Sequence, residues 1–295
     1  MNYQQFVAVL REKTDHLLDS QTTVKVHHAL KNNDTKRIGL TVFQKDTNIS
    51  PTIYLEEFYL QYQNGRELDE IATSIVNLYH EVKFEHSWEV KQVQDFHLAK
   101  SKLVYRLIHF QKNEHLLKDI PYIPYLDLAI VFYLLLETTE RGTATILITN
   151  EMINYWKVSV GELFTISLKN TPELLPAECK PMHIVIQELL QKPLSDECFE
   201  QSCMFVLSNQ YRHFGAACML YEKILEDIGK QLNEDYYVLP SSIHEVIILP
   251  SSCNLAHTDL NDMVTEINDT QVSTEDVLSD HAYYYSRKEK KLLKS

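Results

Sequence analysis

Nine consecutive apolar residues, Leu128–Leu136, constrain this chain more than any other feature. The run is about half the ~20 residues that a helix needs to cross a bilayer, so it has to be buried in protein. It is rich in β-branched and aromatic side chains, which favours a central strand over a buried helix. Extended back to Leu126, it pairs with Thr143–Thr149 across Arg141-Gly142. Pro121 and Pro124 bracket a stiff connection just before it, and a lobe boundary is expected there.

The flanking patterns change period repeatedly. Tyr3, Phe6, Val7, Leu10, Leu17 and Leu18 recur at helical spacing, predicting a helix that ends near Ser20. Val24–Leu30 then alternates, as does the segment carrying Ile38, Leu40 and Val42. Lys31-Asn32-Asn33-Asp34 between them predicts a β-hairpin with a loop slightly longer than two residues. Ser50-Pro51 breaks the chain. A short helical face (Leu55, Phe58, Tyr59, Tyr62) and a longer one (Leu68 to Val82) follow. Strands are expected at Lys102–Phe110, Met204–Ser208, Tyr236–Leu239 and Ile243–Leu249, with an edge strand at Ala282–Tyr285. Helices are expected from Asn150 to Trp156, Ser159 to Asn170, Gly215 to Leu232 and Leu255 to Ile267. No steady βαβ rhythm appears, so the chain reads as α+β, with mixed or antiparallel sheets and packed helices in two lobes. The lobes are 1–120 and 121–286. Residues 287–295 form a basic, flexible tail, a frayed solvated end.

Charge and rare residues exclude several functions. With 28 basic and 41 acidic side chains the net charge is −13, which disfavours nucleic acid and anionic membranes as partners. The six glycines are too scattered to form a phosphate cradle. Met1–Ser20 lacks a basic start followed by an apolar run, so no signal peptide is expected. The five cysteines contain no C-x-x-C pair, and they are read as reduced, mostly buried thiols of a cytoplasmic protein.

Several strings carry a resemblance when taken together. They are Lys31-Asn32-Asn33, Ile49-Ser50-Pro51-Thr52-Ile53-Tyr54-Leu55-Glu56, Leu147-Ile148-Thr149-Asn150, Asn170-Thr171-Pro172, Val238 to Val246, and Met263-Val264 with Glu266 and Asn268. Across roughly residues 20 to 286 the chain resembles an uncharacterised bacterial family, domain of unknown function 5688. Asp34 stands where that family's turn would carry glycine. The resemblance implies a cytoplasmic bacterial protein and assigns no chemistry.

His27 and His28 are adjacent on a strand and face opposite ways. His80 with His86, and His109 with His115, are six apart, which puts their rings on different helical faces. No metal site or cofactor is therefore expected. Ser241, Ser242, Ser251 and Ser252 have no flanking glycine for a nucleophile elbow. Cys198 lies among Asp196, Glu197 and Glu200, which raises a thiol pKa. The adjacent carboxylates Glu56-Glu57, Asp69-Glu70 and Glu226-Asp227 read as solvated helix faces. Two constellations remain. Lys31, Asn32 and Asn33 form a polar hairpin tip, with Tyr54 and Glu56 as possible neighbours, and make a binding candidate. Ser242, His244 and Glu245 make a catalytic candidate. In a strand over Ile243–Leu249, however, His244 and Glu245 fall on opposite faces and cannot form a dyad. A hairpin or arch is expected there, with each residue anchored to a different neighbour. The resulting expectation is a non-catalytic interaction or regulatory protein with a protein or small-molecule partner. The alternative is an unfamiliar hydrolase or transferase built on His244 and Glu245.

Overall fold

The computed structural model describes residues 1–45, 50–83, 90–139, 142–191, 204–253 and 257–294. The fold is α+β, with three antiparallel sheets. Its contacts divide it into two compact units, residues 1–31 with 35–95, and residues 32–34 with 96–295.

In the first unit, α1 (Tyr3–Leu17) starts in a reciprocal capping box between Asn2 and Gln5. Its buried Phe6, Val7 and Leu10 meet Ile71, Ala72, Ile75 and Tyr79 of α3 (Leu68–Val82). The hairpin forms as expected: β1 (Thr22–Leu30) pairs with β2 (Lys36–Gln44), setting Val24 opposite Val42 and Val26 opposite Leu40. β3 (Thr52–Tyr54) adds to β2, placing Ile53 opposite Leu40 in the same core. α2 (Glu56–Gln63) and α4 (Val90–Gln94) complete the unit.

The second unit opens with α5 (Phe96–Ala99) and β4 (Leu103–His109). β6 (Leu128–Thr139) is the central strand that the apolar run predicted. It pairs with β4 on one side, and with β5 (Tyr122–Tyr125) and β7 (Gly142–Leu147) on the other. Pro124 of the stiff segment lies within β5 and so belongs to this sheet. Arg141, in the expected turn, lies outside the described residues. α6 (Asn150–Trp156) is capped by the Thr149 hydroxyl, which accepts from Met152 N–H, while Asn150 donates to the Lys118 carbonyl. α7 (Val160–Leu174), capped by Ser159, runs past Asn170. It covers the β4 edge: the Thr171 hydroxyl accepts from Tyr105 N–H at 3.1 Å, and Asn170 donates to Lys100 O at 2.7 Å.

The other sheet of this unit has the order β13-β12-β10-β11-β9-β8. Its strands are β8 (Ala177–Pro181), β9 (Phe205–Asn209), β10 (Tyr236–Leu239), β11 (Val246–Pro250), β12 (Tyr283–Ser286) and β13 (Lys291–Lys294). The helices α8 (Met182–Leu190), α9 (Ile224–Leu232) and α10 (His257–Thr270) lie between them in sequence. Four expectations change here. The long helix from Gly215 is instead a buried 3-10 segment, Gly215–Leu220, followed by α9. It breaks because Tyr221 is extended, with its hydroxyl on Leu175 O, and Lys223 adopts a left-handed backbone at φ 67°. The strand expected from Ile243 starts at Val246, because Ile243 bonds outside the ladder, its N–H to Asp276 O and its carbonyl to Ala216 N–H. β12 is interior, because the basic end of the chain pairs with it as β13 and buries Leu292. Finally, Cys179 and Cys218 are free thiols but Cys253 is disulfide-bonded, so the reading of uniformly reduced cysteines is corrected there. Cys198 and its acidic neighbours lie outside the described residues, as does His86.

Candidate functional site

The loop Thr274–Val277 joins α10 to the sheet and collects both sequence candidates. Asn33 and Asp34 have φ of 56° and 50°, the left-handed region that Asn and Asp tolerate best among residues other than glycine. A glycine at position 34 would suit the same backbone. The turn aims Asn33 Nδ2 at the carbonyls of Thr274 and Val277, both at 2.8 Å. Asn32 Nδ2 donates to Glu275 O at 2.5 Å. Asn33 and the fully buried Asn113 exchange two hydrogen bonds, and Asn113 also donates to His109 O. Asp34 accepts from the backbone N–H groups of His115 and Leu116 and meets the His115 ring at 2.8 Å. Burial works to raise its pKa, but these bonds outweigh it and hold the carboxyl below its usual range.

Ser242, His244 and Glu245 come to the same loop from the other side. Ser242 bridges to Val277, and Ile243 N–H donates to Asp276 O. The Ser242 hydroxyl accepts from the backbone N–H of His244, so it lies in a local turn and does not touch the imidazole. His244 Nδ1 accepts from Phe214 N–H at 3.2 Å, and Nε2 faces Asp276 Oδ1 at 3.3 Å. That pair of contacts fixes the tautomer, with the proton on Nε2, and occupies both ring nitrogens. Glu245 does not join this pair. Burial raises its pKa against the opposing influence of His244 and Arg212.

The other binding candidates, Lys31, Tyr54 and Glu56, belong to the first unit. Lys31 Nζ lies 4.4 Å from the centre of the Tyr54 ring within the first unit. Glu56, read as solvated, accepts from Tyr3 Oη and Ile38 N–H and pairs with Arg37. It ties the turn end of the hairpin to the start of α2.

Sequence reasoning missed the most unusual group nearby. Arg106, 5% exposed, projects from β4 between Tyr133 and Phe214, its Cζ 4.0 Å and 3.4 Å from the two ring centres. It forms no ion pair among the described residues, and its Nε–H has no acceptor. Burial pushes its pKa down to about 10. Burying an unpaired ion costs several kcal/mol, which two desolvated aromatic contacts of about 2 kcal/mol or more each offset only in part. The visible signal was a lone arginine in the otherwise apolar Leu103–Ile108.

A family model described as a family of unknown function, DUF5688, matches residues 3–287. The chain belongs to that family. No curated protein and no solved structure matches it. The strings that carried the DUF5688 resemblance can now be given work: Asn33, Thr149, Asn170, Thr171 and Asn268 each bond the backbone of a segment they must hold.

Proposed function

We propose that this DUF5688 member is a non-catalytic interaction or regulatory protein of the bacterial cytoplasm. Its partner is a protein or a small molecule; the net charge of −13 disfavours nucleic acid, and no helix among the described residues is long and apolar enough to cross a membrane. One observation carries the reading. His244, the candidate base, spends Nδ1 on a backbone N–H and Nε2 on Asp276, and the Ser242 hydroxyl bonds the backbone, which supports a reading in which Ser242, His244 and Glu245 do not work as a nucleophile–base relay.

The test is capture from the native cell, read for proteins and small molecules together by mass spectrometry, with the unaltered chain and His244→Ala side by side. The same partner on both is expected. If the unaltered chain turns over a captured compound and an equally stable His244→Ala does not, the reading falls and the hydrolase or transferase alternative stands. Location is tested through Cys253. Disulfides are rare in the cytosol of most cells. Recovery of Cys253 as a thiol from rapidly acid-quenched cells supports the cytoplasmic placement, and recovery as a disulfide overturns it.

A further inference from the structure

A guanidinium held between two rings keeps its five N–H donors in its own plane, at the edge of the slot. Its Nε–H and the adjacent Nη–H form the side-on fork that a planar, two-oxygen acceptor fits. In Arg106 that edge is buried, the Nε–H has no acceptor, and no carboxylate among the described residues neutralises the charge.

The segment that covers Arg106 supplies an independent observation. Arg212 and Phe214 have φ of 55° and 58°. For residues of this bulk such a backbone is strained and persists only where its surroundings enforce it. The enforcement is visible. Phe214 N–H is held on His244 Nδ1, and His244 is held in turn by Asp276. Gly215 sits so tightly that a Cβ there would lie 2.1 Å from Ser208 Oγ and 2.6 Å from His244 O. The result is to press the Phe214 ring onto Arg106. His213, between the two strained residues, is partly exposed and its ring centre is 6.1 Å from that of His244. Its backbone carbonyl accepts from Asn209, while its ring nitrogens make no hydrogen bond with a described residue. Strain of this kind concentrates at sites that grip a ligand.

We propose that Arg106, between Tyr133 and Phe214, binds the carboxylate of a small organic acid, with the His213 imidazole as a second donor beside it. The flat slot selects a planar carboxylate over a tetrahedral phosphate. The ligand's charge supplies the counter-ion that no described residue provides. The approach lies on the His213 side, where Arg212, His213 and Phe214 are all partly exposed. The inference stands whether or not the chain is a catalyst, because binding is read directly.

The experiment uses the full chain labelled with 15N, titrated near neutral pH with sodium acetate, then sodium succinate, against sodium chloride at equal ionic strength. One arginine Nε–H resonance, identified by its loss in Arg106→Lys, is expected to move saturably. Tm is expected to rise by a few degrees, an effect that Arg106→Lys abolishes. His213→Gln, at a partly exposed position, should fold normally and bind acetate several-fold more weakly. Should Arg106→Lys fail to fold, the saturable Nε–H shift and its weakening in His213→Gln decide the question. The proposal is overturned if no Nε–H resonance moves, if Tm rises equally in Arg106→Lys, if His213→Gln binds acetate unchanged, or if inorganic phosphate shifts the resonance at lower concentration than either carboxylate.

Discussion

The two units solve the burial problem differently. In the first, one apolar cluster spans α1, the hairpin and α3, and among the described residues the buried polar ones are Thr14 and Thr41. The second unit is about twice as long, yet eleven of its described residues are polar and buried, among them Arg106, His109, Asn113, Thr171, Asn268 and Ser279. Three of these bond backbone groups distant in sequence: Asn113 accepts from Asn33 N–H, Thr171 accepts from Tyr105 N–H, and Ser208 donates to His244 O. The Asn268 amide reaches Ser279 O, and Asp127 accepts from both Ser279 Oγ and Tyr283 Oη. Hydrocarbon contacts are non-directional and forgiving, whereas such bonds are costly when one partner is missing. The first unit should therefore respond to lost volume, and the second to lost donors.

Three changes of decreasing effect probe that contrast. Phe6→Ala removes a ring that is fully buried and in contact with Tyr3, Tyr59 and Tyr62. It should cost about 3–5 kcal/mol, read as a shift in the urea midpoint. A loss below about 1 kcal/mol would show that apolar packing does not hold the first unit. Asn33→Ala leaves two carbonyls without their donor and puts alanine at a positive φ, for a cost of roughly 2 kcal/mol. Asn33→Gly restores the backbone freedom but not the bonds. If glycine rescues most of the stability, the turn geometry mattered and the bonds did not. Truncation after Ser286 removes β13, exposes the β12 edge and loses the burial of Leu292. Leucine burial is worth about 1.5–3 kcal/mol, partly offset by the chain entropy regained, so a net loss near 1 kcal/mol is expected. An unchanged Tm would return the tail to the solvated arm that its charge suggested.

The same contrast explains what could be read from sequence. α1, α3, the hairpin and β6 were legible because each is governed by its own period: apolar residues at helical spacing, strict alternation, or a continuous run. The paired strands β10 and β11 were legible for the same reason, as was the separate anchoring of His244. The break at Tyr221–Lys223 was not, because it depends on Tyr221 reaching the carbonyl of Leu175. Neither was the role of Glu56, whose adjacent acid Glu57 suggested a solvated face while Tyr3 and Ile38 were about to claim it. β8 and α8 escaped because Ala177–Pro181 carries no alternation and its partner strand begins 24 residues later. The candidate tip residues Asn32 and Asn33 were found as polar residues in a turn. Their acceptors lie more than 240 residues away, and no local pattern announces a partner at that distance.

The smallest expected effect concerns pH. His109 is buried on β4. Its Nδ1 accepts from Lys112 N–H, and its Nε2 lies 3.8 Å from Asp280, which Lys112 also pairs at 2.9 Å. Burial lowers its pKa first and the Lys112 charge second, against the pull of Asp280 and Asp127, with His281 adding to the depression. His213 is depressed likewise, by burial and by His244 and Arg106. Since the folded-state pKa lies below the unfolded value of about 6.5, the unfolded chain takes up protons first as pH falls. Stability is then highest above that value and declines as pH drops through the interval between the two pKa values, by at most about 1.4 kcal/mol per pH unit for each proton. The carboxylates held low, Asp34 and Asp280, act in the same direction but around pH 4 and below. The histidines His27 and His28 on β1 are exposed, so the first unit supplies no buried imidazole of this kind there. His109→Gln should reduce the slope of unfolding free energy between pH 7 and 5, and His109→Gln with His213→Gln should flatten it further, whatever either does to the absolute stability. Equal slopes in all three proteins would place the pH response elsewhere. It would also mean that the buried polar groups of the second unit exchange their bonds with water more readily than their burial suggests.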